Sequence, residues 1–400
     1  MPIPEIDLSE YNYSLPPERI ALFPLEQRDT SFLLIYSKGK IQKAYFWQLP
    51  EFLPSNALLV FNNTKVIPVR LRFTTRQGQN IEVFCLEPEN QAFAAALASR
   101  QSVIWKALVG NAKKWKSSET LKLENKNLQL QATCLGRQEN IFRVRLEWNP
   151  SEFCLYQVFE QVGYVPLPPY IKRAEEDWDK ERYQTIYAKE LGSVAAPTAG
   201  LHFTPSVFDA LVTKGILCEE ITLHVGAGTF LPVTAARIED HVMHSEYFYV
   251  SKGVLEKFLH PERPVIAVGT TVMRTLESVY QLGCLLQEQN LSPYDLIIPQ
   301  WLGYESIWAL PKEKALNNVL RWIQMHNLEG VGGKTHLIIV PGYHFGICQG
   351  LVTNFHQPQS TLLLLVAAFI GSDWKAVYEY ALANEFRFLS YGDSSLLWRF

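Results

Sequence analysis

Between about Val66 and Phe153 the chain alternates apolar and polar residues with period two, and on either side of that stretch it does not. Phe142, Val144, Leu146 and Trp148 alternate with Arg143, Arg145 and Glu147, and Ile81 to Leu86 and Leu128 to Thr133 read the same way. Successive side chains of a strand point to opposite faces, so each of these segments buries one face only. Gly110-Asn111 and the run Gly136 to Asn140 punctuate them as turns. Several short strands at this spacing predict a small antiparallel barrel.

After about Gln157 the rhythm becomes strand, then a glycine- or proline-bearing loop, then helix. Cys218 to Val225 runs into Gly226-Ala227-Gly228, Val265 to Val268 into Gly269-Thr270-Thr271 and a helix through Leu276, and Leu337 to Val340 into Pro341-Gly342. This is an α/β pattern with loops at the carboxyl ends of strands. Phe32 to Tyr36 and Ala57 to Phe61 are also strand-like, and no linker precedes them. The expected architecture is a discontinuous α/β domain, residues 1–65 and 155–400, carrying an inserted small antiparallel β-barrel domain, residues 66–154. Leu362 to Ile370 is too short for a membrane span, which needs about 20 residues, and reads as a buried helix. A last helix is expected with Ser372 as its cap, Asp373 at the positive end of its dipole, and Trp374, Val377, Tyr378 and Ala381 on one apolar face.

Charge narrows the function classes. The net charge of -3, from 37 basic and 40 acidic residues, excludes a protein that coats nucleic acid through bulk charge but leaves room for a local patch. Two clusters qualify: Lys113, Lys114, Trp115 and Lys116 in the barrel, and Lys172, Arg173, Lys180 and Arg182 beside Tyr170, Trp178 and Tyr183. Cations meet phosphates and aromatic rings stack on unpaired bases, although a solvated charged face looks the same in sequence. The six cysteines form no C-x-x-C pair, which predicts reduced, mostly buried thiols in a cytoplasmic protein. Met1 to Gln27 has no basic segment followed by an apolar one, so no secretory signal is expected.

The chemistry concentrates in loops. In Gly192 to Thr204 (GSVAAPTAGLHFT) small residues allow a ligand to approach the backbone closely, or equally allow a tight connection. His202, His224, His241, His244 and His356 all fall in loops, and imidazole titrates near neutrality. The loop His224 to Phe230 follows a strand, but its glycines do not spell the dinucleotide fingerprint. His241 to Glu246 places two imidazoles and a carboxylate close together without a third matched metal ligand, so an acid–base or orienting role is preferred over a metal. Gly332-Gly333-Lys334-Thr335 has the end of a phosphate loop, but Leu328 stands where the leading glycine belongs and a strand is expected where a helix should begin.

Taken in order, these segments resemble the S-adenosylmethionine:tRNA ribosyltransferase-isomerase family of queuosine synthesis. The matching stretches include Tyr13 to Asp29 (YNYSLPPERIALFPLEQRD), Phe61 to Leu71 (FNNTKVIPVRL), Val165 to Arg173 (VPLPPYIKR), Glu181 to Thr204, His224 to Val233, His241 to Phe248, Ala267 to Ser278, Pro341 to Gly371 and Phe386 to Asp393. The resemblance implies the same discontinuous fold, S-adenosylmethionine as co-substrate, and a tRNA anticodon arm as partner. It implies that the ribosyl part of S-adenosylmethionine passes to 7-aminomethyl-7-deazaguanine at the wobble position, giving epoxyqueuosine with loss of adenine and methionine. The sulfonium acidifies the neighbouring carbon, so the reaction requires no metal. A base must take that proton, an acid should assist adenine departure, and the aminomethyl nitrogen must be held at the ribosyl carbon.

On that resemblance His202 or His244 is expected to be the base, with Glu246 and His356 orienting or donating protons. Pro197, Thr198, Gly200, Gly226, Gly228, Thr229, Gly269, Thr270, Thr271 and Asn354 are expected substrate contacts, and Arg274 suits a carboxylate or phosphate. Tyr391 and Asp393 are expected near the target base, and Lys172, Arg173, Arg182 and Tyr183 on the RNA. A monomer acting away from membranes is expected. The family usually reads arginine at Phe32, aspartate at Asn63, and a leucine and a basic residue at Gln357 and Gln359; the segment 281–334, with an expected helix Lys312 to His326, is longer than usual. These departures leave one alternative, a catalytically altered paralogue acting as an RNA-binding module. A methyltransferase is a further class, disfavoured by the missing G-x-G loop after an early strand.

Overall fold

The computed structural model describes residues 3–116, 119–226, 237–304 and 309–399. In chain order the strands are β1 (Phe32–Ser37), β2 (Lys40–Tyr45), β3 (Leu58–Asn62), β4 (Thr64–Val66), β5 (Arg70–Thr74), β6 (Asn80–Pro88), β7 (Ser102–Gly110), β8 (Leu121–Asn125), β9 (Leu128–Gln138) and β10 (Ile141–Asn149). They continue with β11 (Glu190–Ser193), β12 (Leu217–Leu223), β13 (Glu246–Ser251), β14 (Val265–Val268), β15 (Ile297–Ile298), β16 (Gly330–Thr335), β17 (Gly350–Asn354) and β18 (Ser394–Trp398). The helices are α1 (Phe93–Ala98), α2 (Leu155–Val162), α3 (Asp179–Arg182), α4 (Pro205–Thr213), α5 (Lys252–Phe258), α6 (Thr270–Leu285), α7 (Lys312–Met325), α8 (Thr361–Ile370) and α9 (Trp374–Ala383).

The period-two segment closes on itself. Strands β5 to β10 form a six-stranded antiparallel barrel in the order β10-β7-β6-β5-β8-β9. Val144 and Leu146 point inward with Val83, Cys85, Trp105 and Leu130, whereas Arg143, Arg145 and Glu147 face solvent. Closure gives every strand two neighbours, the β5–β8 seam being joined at Thr74 and Lys122. Helix α2 adds Leu155, Val158 and Phe159 to the same apolar cluster, so the barrel's packing runs past residue 154. Trp115 joins that cluster too, its indole N–H donating to the Glu119 carbonyl at 2.8 Å, so it is a core residue and not a stacking platform for bases.

The flanking segments build one ten-stranded mixed sheet, ordered β15-β16-β13-β12-β3-β14-β17-β18-β1-β2. Strands β12, β3, β14 and β17 run parallel at its centre. Strand β3 is apolar on both faces: Leu59 and Phe61 pack on one side, Leu58 and Val60 on the other. That double burial is why these strands lack the polar alternation of the barrel. The fold is therefore α/β with a barrel, as the two rhythms predict. Beside the sheet, β4 and β11 form a short parallel pair where the chain leaves for the barrel and returns.

Two local expectations fail. Leu337 to Val340 is buried but forms no strand: past Thr335 its backbone leaves the ladder, and Gln300 and the Tyr304 hydroxyl satisfy it instead. Ser372 does not cap α9; a 3-10 turn, Gly371–Asp373, intervenes, and the Asp373 carboxylate accepts from the Tyr36 hydroxyl at 2.5 Å. Residues Thr361–Ala383 are by length and composition apolar enough to cross a membrane, but Gly371 sits at φ 65° and divides them into α8 and α9, both packed into the core. The Gly332 to Thr335 motif lies within β16, which removes any phosphate loop. The segment 281–334 supplies β15, α7 and β16, with Asn318 of α7 donating to the Gly283 carbonyl at 2.9 Å.

Candidate functional site

Four parallel strands deliver their carboxyl ends to one edge of the sheet. Antiparallel β13 and β18 bring their amino ends to the same edge, and β16, antiparallel to β13, brings its carboxyl end. Ligands of open α/β sheets bind at such an edge, because loops there are free to vary while the ladder holds their roots. A cavity of about 550 Å³ occupies it, lined by Ala195 to Ala199, Val225, His241, Met243, His244, Glu246, Gly269 to Thr271, Arg274, Ile338, Ile339, Thr353 to Leu362, Tyr170, Tyr183 and Ser390, among others.

One wall is charged. Glu246 opens β13 and Arg274 lies on the first turns of α6; both are buried, and Nη1 of Arg274 donates to Oε2 of Glu246 at 2.5 Å. Nε of Arg274 donates to the Leu337 carbonyl at 3.0 Å, and the Gly226 amide donates to the other Glu246 oxygen at 3.2 Å. A buried ion pair held this way fixes its members, because separating them would leave a bare charge in a dry wall. His244 is exposed beside it, and burial together with His244 lowers the pKa of His241.

The opposite wall is neutral. His356 and Asn354 are buried, and Nε2 of His356 lies 2.9 Å from Oγ1 of Thr353. The backbone of His356 is anchored twice, its carbonyl accepting from the Tyr13 hydroxyl and its amide donating to the Tyr378 hydroxyl. Burial pushes the His356 pKa down to about 3, so its ring is neutral at physiological pH. The exposed side chains of Gln357 and Gln359 complete this side.

Three buried polar atoms on the cavity-lining residues lack a protein partner: Oγ1 of Thr271, Nη2 of Arg274 and Oδ1 of Asn354. Native interiors rarely leave such atoms unsatisfied, so three of them on residues lining one cavity are candidates for ligand contacts. A more open depression of about 670 Å³ lies elsewhere, where the two glutamates of β12 are paired, Glu220 with Lys189 and Glu219 with Lys257. The first cavity is the candidate site.

The structure gathers many of the expected residues there: Pro197, Thr198, Gly269, Thr270, Thr271, Arg274, Asn354, His244, Glu246, His356 and Tyr183. It does not bring His202 into that cavity. His202 lies behind Asn354 beside a small recess formed with Arg28, Ser31, Arg182, Arg387 and Tyr391. Gly200 is also absent from the cavity wall; a Cβ there would fall 1.9 Å from the Tyr187 hydroxyl, so packing explains this glycine. Gly226 holds Glu246 through its amide, and Gly228 and Thr229 lie outside the described residues.

Tyr391 and Asp393 have internal partners: the Tyr391 hydroxyl donates to Asp179 at 2.8 Å, and Asp393 accepts from the amides of Phe32 and Arg387 at 3.0 and 2.7 Å. Arg173 grips the same Asp179 with two bonds of 2.7 Å, and Arg182 donates to the carbonyls of Leu25 and Glu26, so both arginines brace the fold. Of the expected RNA contacts only Lys172 is freely exposed. Thr353, Ser390 and Ile338 are wall residues that sequence reading passed over, since nothing in their local spacing signals a ligand, and Tyr170, read as an aromatic beside the basic cluster, lines the cavity.

Two departures have structural counterparts. Lys43 sets its ammonium 3.5 Å from the centroid of the Phe32 ring, so a cation still stands at that corner. Asn63 donates to Glu220 at 3.3 Å and accepts from Thr222 at 2.9 Å, a position where an aspartate would face a carboxylate. Among the described residues no group of three potential metal ligands comes together.

Residues 8–397 match a family described as queuosine biosynthesis protein. The chain is 37% identical to the S-adenosylmethionine:tRNA ribosyltransferase-isomerase of Desulfitobacterium hafniense over 98% of its own length and 99% of the relative's. It is 38% identical to the protein of that name from Thermotoga maritima, with the same shares covered, and 36% identical to that of Azoarcus sp., covering 98% of each chain. Among solved structures it is similar to the crystal structure of an S-adenosylmethionine tRNA ribosyltransferase from Thermotoga maritima, at 29% identity over 97% of this chain and 99% of that one, with a TM-score of 0.47.

Proposed function

The chain belongs to the queuosine biosynthesis family, and on that premise we propose that it transfers and isomerises the ribosyl moiety of S-adenosylmethionine onto 7-aminomethyl-7-deazaguanine at the wobble position of a tRNA, forming epoxyqueuosine and releasing adenine and methionine. The observation that carries this reading is a strand-end cavity with three unsatisfied buried polar atoms, in a chain that matches the enzymes of that name over nearly its whole length. The alternative of an altered, purely RNA-binding paralogue is not favoured.

In this reading His244 is the base that takes the proton beside the sulfonium. It lines the cavity, is exposed, and stands two residues from the Glu246–Arg274 pair. That pair orients polar groups of the donor, with Nη2 of Arg274 available to a carboxylate and Oγ1 of Thr271 beside it on the first turn of α6. His356, neutral and held by Thr353, donates or shapes on the opposite side. The aminomethyl nitrogen of the acceptor attacks between the two walls. Residues 1–65 and 155–400 act as the catalytic unit and 66–154 as the inserted barrel, with α2 packed on the latter. The acceptor is presented on the anticodon arm, with Lys172 contacting phosphate, and the protein works as a cytoplasmic monomer without a metal.

Mixing the protein with S-adenosylmethionine and tRNA bearing the precursor base should release adenine and methionine in step with modified tRNA, followed by chromatography and mass spectrometry. S-adenosylhomocysteine as product, or no adenine, would sink the proposal.

A further inference from the structure

His202 is buried, and both of its ring nitrogens are taken. Nδ1 lies 2.8 Å from Oγ of Ser31, and Nε2 lies 3.2 Å from Nδ2 of Asn354. Nδ2 of Asn354 also faces the carbonyl of Asp393 at 3.4 Å, an oxygen that can only accept. This fixes the amide: its NH₂ group points to His202 and Asp393, and its oxygen points the other way. The direction of the whole chain follows. Asn354 donates to Nε2, so the proton of a neutral His202 sits on Nδ1 and is donated to Ser31. The oxygen of Asn354 is then a buried acceptor with no protein donor, on a residue that lines the cavity.

From this geometry we infer that Asn354 Oδ1 accepts a hydrogen bond from an N–H or O–H group of the substrate, and that His202 is a positioning residue which holds the Asn354 amide in the orientation that makes this possible. The inference rests on the reading of the cavity as the substrate site and gives His202 a role other than base. Two donors fit the chemistry: a hydroxyl of the ribosyl group, or the amine of the acceptor base in its uncharged, nucleophilic form. A neutral amide oxygen suits either, since it orients a hydrogen without drawing the proton away. Burial pushes the His202 pKa down to about 3, with Arg387 adding to the effect, which keeps Nε2 an acceptor throughout the working range.

Asn354→Leu, which keeps the branched heavy-atom outline but removes the acceptor, tests the contact. Binding of S-adenosylmethionine alone and of a precursor-bearing anticodon stem-loop alone, each by calorimetry, separates the two donors. One of the two affinities should fall by about tenfold or more, the scale of losing a buried hydrogen bond; unchanged affinity for both overturns the inference. His202→Ala should weaken the same ligand, and His202→Gln, whose side-chain oxygen can accept from Nδ2, should recover most of the loss with the pH profile of turnover unchanged in shape. If Gln is as defective as Ala, or if the acidic limb of the profile disappears, the positioning role fails and His202 returns as a base. Wild-type adenine release, measured alongside, tells whether the enzymatic reading itself has failed, because the binding results stand without it.

Discussion

The two walls of the cavity are built on opposite principles. One presents a buried Glu246–Arg274 ion pair and the exposed His244, whereas the other presents Asn354, His356, Thr353 and two glutamines, none of them charged. Charge concentrated on one side of a dry pocket stabilises developing charge there and nowhere else. The neutral side orients hydrogens without competing for protons. A reaction that deprotonates one carbon and joins another to an amine needs both surfaces, and this pocket separates them.

The comparison is most exposed at His244. Its replacement by alanine should slow adenine release by about 10²- to 10⁴-fold, the span of general-base catalysis, while the melting temperature and S-adenosylmethionine affinity hold. A near-normal rate would move proton transfer away from the charged wall. Next is the ion pair. Arg274→Met should cost about 3–5 kcal/mol of stability by chemical denaturation, because it takes the guanidinium away from the buried Glu246 carboxylate. A loss below about 1 kcal/mol would mean that the pair is solvated and the wall less dry than its burial indicates.

The smallest step, per pH unit, is expected in the pH dependence of folding, through one buried histidine of the neutral wall and one behind it. His202 and His356 are pushed down to about 3 from 6.5. Between those values the unfolded chain binds protons that the native state refuses, so stability is complete above the unfolded value and falls as pH drops through the window. Each histidine should contribute a slope that rises to about 1.4 kcal/mol per pH unit once the pH is well below 6.5, measured by denaturant melts from pH 7 to 4. His356→Gln should flatten the slope; an unaltered slope would show that the ring is not neutral and buried.

The barrel and the parallel strands were legible because they are written in local periodicity. Phe142 to Trp148 shows a period of two, and Val265 to Val268 shows four apolar residues before Gly269, and both form as read. The pocket was half legible. Residues in glycine-rich loops after strands were found, since such loops fall at strand ends by the logic of the fold. The place of His202 was not legible, because its loop reaches the cavity while its ring meets Asn354, a residue 152 positions away. Arg173, Arg182 and Tyr391 looked like ligand contacts for the same reason: guanidinium and phenol groups bind carbonyls and carboxylates of the fold as readily as those of RNA. Tertiary partners decide such cases, and no local pattern records them.

The convergence of strand ends has a consequence for how a pocket of this kind can change over generations. The ladder between β17 and β18 closes at Asn354, so Gln357 and Gln359 hang beyond the last rung. A substitution there alters the polarity of the wall without breaking a single sheet hydrogen bond. Change at the rim therefore costs the sheet nothing, whereas at Thr353 and Asn354, which belong to ladder and wall alike, it disturbs both.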